Sequence, residues 1–310
     1  MNEHDKIIAQ LLREPVDPNL KVSFAISEIA EVEFAKSGED VKIFDYSDED
    51  ANVDDIYAIG DSTLTMHQVS GVEPTQLSFV GLKSKLETVY LDEILDAPDQ
   101  DALKRKKGGI QRGMDKEELK RIADAIIKLD GDTDVGNVDC EVVQGTNDDI
   151  YDLIDKMIET VEPYATDYAL LVTAAVSKAM RKYSKDNAEN KQYDVSLQKM
   201  LAENKVTVIP VRGKVNGADV LANGKLILVG RKSDLGEGGK KPITFIRRLF
   251  SAEHAAAMGL EAGQLPGRII SNAIPVTSGA VLIGYGIFGY EKIIEAITNW
   301  RAICWSTFSA

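Results

Sequence analysis

Four stretches of the sequence set residue types at spacings that could do chemistry. The first is Gly284-Tyr285-Gly286-Ile287-Phe288-Gly289, a literal G-x-G-x-x-G after the apolar run AVLI and before the helix-like run YEKIIEAITNW. In a dinucleotide site such glycines let a pyrophosphate approach a helix N-terminus, and an acidic residue about twenty positions on holds the ribose. Only 21 residues follow Gly289, and their ending CWSTFSA carries no acid. A nucleotide-binding oxidoreductase built on Gly284–Gly289 is thus a distant alternative, and tight packing of a strand against a helix explains the glycines better. The second stretch, Asp130-Gly131-Asp132-Thr133-Asp134, opens like a calcium loop with Glu141 in twelfth place. The sixth place, where the loop needs glycine for its turn, holds Val135. The third, Gly236 to Pro242, looks like a phosphate loop. It has Asp234 at the first glycine position and no Ser or Thr after its lysines. The fourth is the basic run Lys104-Arg105-Lys106-Lys107, which reads first as a solvated helix end.

Nucleophilic and metal chemistry are thinly supplied. Cys140 and Cys304 form no Cys-x-x-Cys pair, and His4, His67 and His254 are far apart in sequence. There is no G-x-S-x-G elbow. No residue is assigned a catalytic, cofactor-binding or metal-binding role; the expectation is a protein that is not an enzyme and needs no cofactor.

The elements that would position any site are indicated by charge and periodicity. The 310 residues carry 36 basic and 50 acidic side chains, net −14, with a pI near 4.8. An overall charge of that sign argues against a nucleic-acid coat, which needs clustered Lys and Arg. The excess is uneven: residues 1–100 are net −15, 101–200 net −4 and 201–310 net +5. A chain polarised in this way can meet copies of itself, acidic end against basic region. The N-terminus lacks the apolar run of a signal peptide. The longest uncharged stretch, Ile269 to Tyr290, holds Asn272, Pro275 and four glycines, so it reads as buried strands turning at Pro275–Gly279. A soluble, intracellular protein with no membrane segment is expected.

Residues 1–21 read as a short arm, in which Pro15 and Pro18 stop any helix. Period-two patterning over 22–61, and again over 63–91, predicts an extended β excursion with too few apolar residues for a core of its own. Beyond Pro98 the spacing of Leu119, Ile122, Ile126 and Leu129 predicts a helix, either continuous or broken at Gly108–Gly109 and Gly113. A strand VDCEVVQG and a capped helix over TNDDIYDLIDKMIETV follow. Residues 168–183 read as strand, loop and helix, and VSLQKMLAENK as a further helix. VTVIPVRG, KLILVGRK and PITFIRRLF read as strands, as do stretches near 269–274, 281–285 and 301–305. The mixed order makes the chain α+β.

This order of parts, with ATDYALLVTAAVSKAMRKY and VTVIPVRGKVNGADVLANGKLILVGRK as its closest local likenesses, resembles the major capsid proteins of tailed phages. Their fold is the Hong Kong 97 type, shared with encapsulins. The resemblance implies an N-terminal arm at 1–21 and an N-terminal β region at 22–95, with the extended loop in 55–95. It implies a peripheral domain from 96–146 and 233–280, with a spine helix near 98–130, and an axial domain from 147–232 and 281–310. It also implies a shell subunit forming hexamers and pentamers of an icosahedral virion head, assembled in the host cytoplasm. Such a shell encloses DNA without sequence-specific binding and works with scaffold, portal and decoration proteins. The 21-residue arm is too short for a fused scaffold segment, which implies a separate scaffold protein or none. An encapsulin-type compartment is the nearest alternative.

Overall fold

The computed structural model describes residues 22–36, 41–43, 75–90, 101–130, 139–186, 194–233, 240–251 and 267–309. They build two main sheets and two two-stranded ribbons, with helices between and outside the main sheets. The expected extended start is instead a short helix, α1 (Phe24–Ile29). Its buried residues are Ile26 and Ile29, three apart as on a helix face, while Phe24 points outward. Period two over so few residues does not separate strand from helix. Strands β1 (Glu31–Ala35) and β2 (Val41–Ile43) come next. Within the expected extended loop lie β3 (Thr75–Leu77), β4 (Val80–Lys83) and β5 (Glu87–Tyr90); positions 44–74 and 91–95 lie outside the described residues.

The expected spine helix is continuous: α2 runs Asp101–Lys128, 28 residues or about 42 Å. Its three glycines do not break it, because one long apolar stripe (Ile110, Met114, Leu119, Ile122, Ile126) is buried along its length. The expected strand VDCEVVQG contributes only an isolated bridge, Glu141 to Trp305. Helix α3 (Ile150–Val161) begins at the expected cap. The Asp149 carboxylate accepts from the Tyr151 and Asp152 amides, and the Asp152 carboxylate accepts from the Asp149 amide.

Then come β6 (Ala165–Val172), α4 (Ala174–Asp186), α5 (Asp194–Glu203), β7 (Val206–Pro210), the ribbon β8 (Lys214–Val215) with β9 (Ala218–Asp219), and β10 (Lys225–Ser233). Strands β11 (Ile243–Arg248), β12 (Arg268–Ser278), β13 (Val281–Ile297) and β14 (Ile303–Thr307) complete the chain. The run YEKIIEAITNW is not a helix. It continues β13 to 17 residues, because β11 pairs along one edge and β4 along the other, and both edges need partners for their amides. The turn falls at Gly279–Ala280, with Gly279 at φ 62°, while Pro275 lies inside β12.

The first sheet runs β1-β11-β13-β12, with β4 and β5 on the remaining edge of β13. The second runs β14-β10-β6-β7 and is covered on both faces. Ala169, Leu171, Ile227 and Val229 face the core with α1 and α2; Leu170, Val172, Leu226 and Leu228 face α3, α4 and α5. Burial on both faces is why β6 and β10 read as unbroken apolar runs. The expected division at 280/281 falls within the β12–β13 hairpin, and β13 pairs with β11 and β12 rather than with the second sheet.

Candidate functional site

The site worth building is the crossing of α2 over the first sheet. Alternation along β13 turns Gly289, Glu291, Ile293 and Glu295 to the face that meets α2. At Gly289 a side chain is impossible without movement: an added Cβ would run into Met114 Sδ and lie 2.8 Å from Ile110 Cγ2. At Gly286 it would lie 2.7 Å from Leu86 Cδ1. Gly286 and Gly289 of the G-x-G-x-x-G run therefore serve close packing, as weighed above, but inside a strand. No helix begins there, so the nucleotide reading of Gly284–Gly289 is corrected: a paired strand has spent its amides on the ladder and offers a pyrophosphate no cluster of free N–H groups.

One step along the same face is a closed cluster of charges. Glu118 from α2, Arg247 from β11, Arg268 from β12 and Glu291 from β13 are each 0 % exposed. Arg247 donates to Glu118 Oε1 from Nε (2.9 Å) and Nη2 (2.6 Å), and to Oε2 from Nη2 (2.8 Å). Arg268 Nε donates to Glu291 Oε2 (2.6 Å) and its Nη1 to Asp115 Oδ1 (2.7 Å), while Nη2 lies 3.1 Å from Glu118 Oε1. Glu291 Oε1 is buried with no hydrogen bond. Arg121 and Glu295 add a half-buried pair at 2.8 Å one turn further along.

With three carboxylates facing two guanidiniums, the cluster carries one negative charge in excess if all are ionised. Burial, reinforced by the charge of Glu291, pushes the Glu118 carboxyl up to about 7 against the pull of Arg247 and Arg268. Burial lowers the Arg268 pKa, but Glu118 and Glu291 more than offset it and leave it above its ordinary value. Buried except at Asp115 and bonded chiefly to one another, these groups bind α2 to three strands.

Beside the cluster, a cleft of about 560 Å³ opens between α2 and the β4–β5 hairpin, lined by Gly109, Gly113, Gly81, Lys83, Lys85 and Glu117 among others. Lys106, from the basic run, reaches across to donate to the Thr88 carbonyl at 2.5 Å. The remaining sequence candidates do not converge here. Asp130 ends the described part of its loop, residues 131–138 lie outside the described residues, and Glu141 sits at the bridge to Trp305. Residues 234–239 of the glycine-lysine loop and all three histidines also lie outside them, while the Pro242 carbonyl accepts from the Thr298 and Asn299 amides. Cys140 and Cys304 are buried thiols; burial pushes Cys140 up to about 12 and Cys304 well above its ordinary value. Among the described residues no group of His, Cys, Asp and Glu could hold a metal, and no helix is long and apolar enough to cross a membrane.

Sequence reasoning did not single out the cluster. One signal was available, since Glu118 falls on the apolar stripe at four residues from both Met114 and Ile122. An acid at such a position requires a buried cation, but nothing local says which.

No family model matches the chain, and no curated protein matches it in sequence. Solved structures do match it in fold. The virus-like particle from Pyrococcus furiosus has a TM-score of 0.54 at 12% identity, covering 98% of this chain and 100% of that one. The capsid of a native GTA particle has a TM-score of 0.55 at 10% identity, covering 94% and 98%. A phage-related protein from Bordetella bronchiseptica RB50 has a TM-score of 0.50 at 13% identity, covering 97% and 96%. The resemblance to the Hong Kong 97 type of fold thus holds in three dimensions, for a mixed α+β chain matched from end to end.

Proposed function

We propose that this chain is a self-assembling shell protein, a major capsid protein whose hexamers and pentamers close into an icosahedral head around a viral genome. The observation that carries the reading is the end-to-end fold likeness to a virus-like particle and to a GTA capsid, with almost nothing left over in either partner. The parts then take the roles expected of them: α2 as the spine, β2 to β5 as the stem of the extended loop, and the second sheet with α3 to α5 as the axial layer.

The physical chemistry agrees. Among the described residues the β2–β3 ribbon has two strands, joins no larger sheet and rests on a small cluster around Ile246 and Ile294, a construction that is marginal for an isolated hairpin. Leu86 and Tyr90 on the neighbouring hairpin are about half exposed. Packing against further copies supplies such burial. A net charge of −14 suits a wall that encloses DNA without gripping it. Function in this reading is structural rather than enzymatic. Sedimentation of the purified protein at rising concentration tests it. Cooperative conversion to large particles of one size is expected, and a single 33.9 kDa species at all concentrations overturns the reading. Nucleic acid inside particles from the native host marks a capsid; protein cargo alone marks an encapsulin-type compartment.

A further inference from the structure

The buried charge cluster fastens four elements at one point, and Glu118 is the member they share. Arg247 of β11 places three hydrogen bonds on its carboxylate, and Arg268 of β12 lies 3.1 Å from its Oε1. Glu291 of β13 accepts from Arg268 Nε at Oε2, while its Oε1 is buried without a hydrogen bond. Donors are thus gathered on Glu118, and a second carboxylate, just as buried, is left short. The groups facing Glu118 are Arg247, Arg268 and Glu291 from the sheet and Asp115 beside it on α2, which also accepts from Arg268 and is partly open to solvent. One turn on, Arg121 and Glu295 pair with each other.

Two carboxylates drawn to one guanidinium, with no water to screen them, repel each other whenever both are ionised. A proton on either removes the repulsion. We propose that the cluster is a proton-operated clasp between α2 and the first sheet: with one proton bound it holds α2 on β11, β12 and β13, and release of the proton loosens that crossing while the rest of the chain stays folded. Burial and the charge of Glu291 place the proton on Glu118. The closed form holds it more tightly than an open one, so the clasp is firm at pH 5 and weakens as pH rises through 7. The part that loosens follows from the apolar contacts. Before Glu118 the described residues of α2 bury Ile110 and Met114; after it come Leu119, Ile122, Ala123 and Ile126, set in the core shared with the second sheet. The first half of α2 therefore has less apolar surface to hold it and depends more on the clasp. The core beneath α3, α4 and α5 contains no member of the cluster. The device lies within one chain and does not depend on the shell reading.

Native-state hydrogen exchange read by mass spectrometry from pH 5 to pH 8, with rates corrected for the intrinsic pH dependence of exchange, tests the clasp. In the wild type, opening over 108–118 of α2 rises by about 40-fold between pH 5 and pH 7. At pH 7 it exceeds the opening of α3 by about ten-fold or more, the mark of a local event rather than unfolding of the whole chain. Glu118→Gln abolishes the rise with pH. Glu291→Gln takes away the like charge and shrinks the rise, because Glu118 then ionises more easily. Three results overturn the clasp: a wild-type profile flat with pH, α2 and α3 opening alike at every pH, or a rise that persists in Glu118→Gln. The first two are read on the wild type alone, so the test stands even where a variant fails to fold.

Discussion

Glu118→Gln is the sharpest probe of the buried cluster, because it keeps the side chain's shape and removes only the excess charge. Glu118 is held by two hydrogen bonds from Arg247 to Oε1 and one to Oε2, which taken alone would lower its pKa and make it a stabilising carboxylate at neutral pH. Burial and the charge of Glu291 outweigh that and raise the carboxyl from 4.5 to about 7. A raised carboxyl means the folded chain keeps a proton that the unfolded chain has released, so this group's contribution falls as pH rises from 4.5 to 7. At about 1.4 kcal/mol per pH unit, the wild type loses up to about 3 kcal/mol relative to Glu118→Gln over that interval. Below pH 4.5 both forms are neutral at this position and the difference is constant. The assay is equilibrium denaturant unfolding at half-unit pH steps from 4 to 8, followed by the fluorescence of Trp300 and the buried Trp305. A difference that is flat across the range, or that grows in favour of the wild type as pH rises, refutes the reasoning. It would mean that the arginines win and all three carboxylates stay ionised.

Arg268→Met strands Glu291 in the interior and removes the contact to Asp115, and unfolding in denaturant should show a loss of about 3–5 kcal/mol. Gly289→Ala pushes a methyl into Met114 and Ile110 and costs about 1–3 kcal/mol; combined with Met114→Ala it costs less than the sum of the two, as a double-mutant cycle will show. Asp149→Ala removes the capping box of α3 and lowers stability by about 1 kcal/mol, read from the unfolding midpoint with an unchanged denaturant slope.

What could be read from the sequence depended on how local its cause was. The α3 cap was legible because Asp149 and Asp152 act on backbone three residues away. The apolar runs of β6 and β10 announced strands, and the structure adds that both their faces are buried. The helix α1 was not legible, since its two buried isoleucines are too few to set a period. The tail of β13 misled for another reason: Ile293, Ile294 and Ile297 suit a helix face as well as a strand, and the choice is made by β11 and β4, strands far away in sequence. The charge cluster is further still from local rules, with Arg247 bonded to a carboxylate 129 positions earlier. The glycine fingerprint shows the hazard of motif reading: Gly286 and Gly289 satisfy a nucleotide pattern and a packing need, and only Met114, Ile110 and Leu86 decide between them.

Electron microscopy of the purified protein tests the central claim most directly. Closed particles of uniform diameter, or rings of five and six subunits, are predicted, with the α2 spines visible in the shell wall. Discrete monomers with no larger species under any condition of salt and concentration would contradict it.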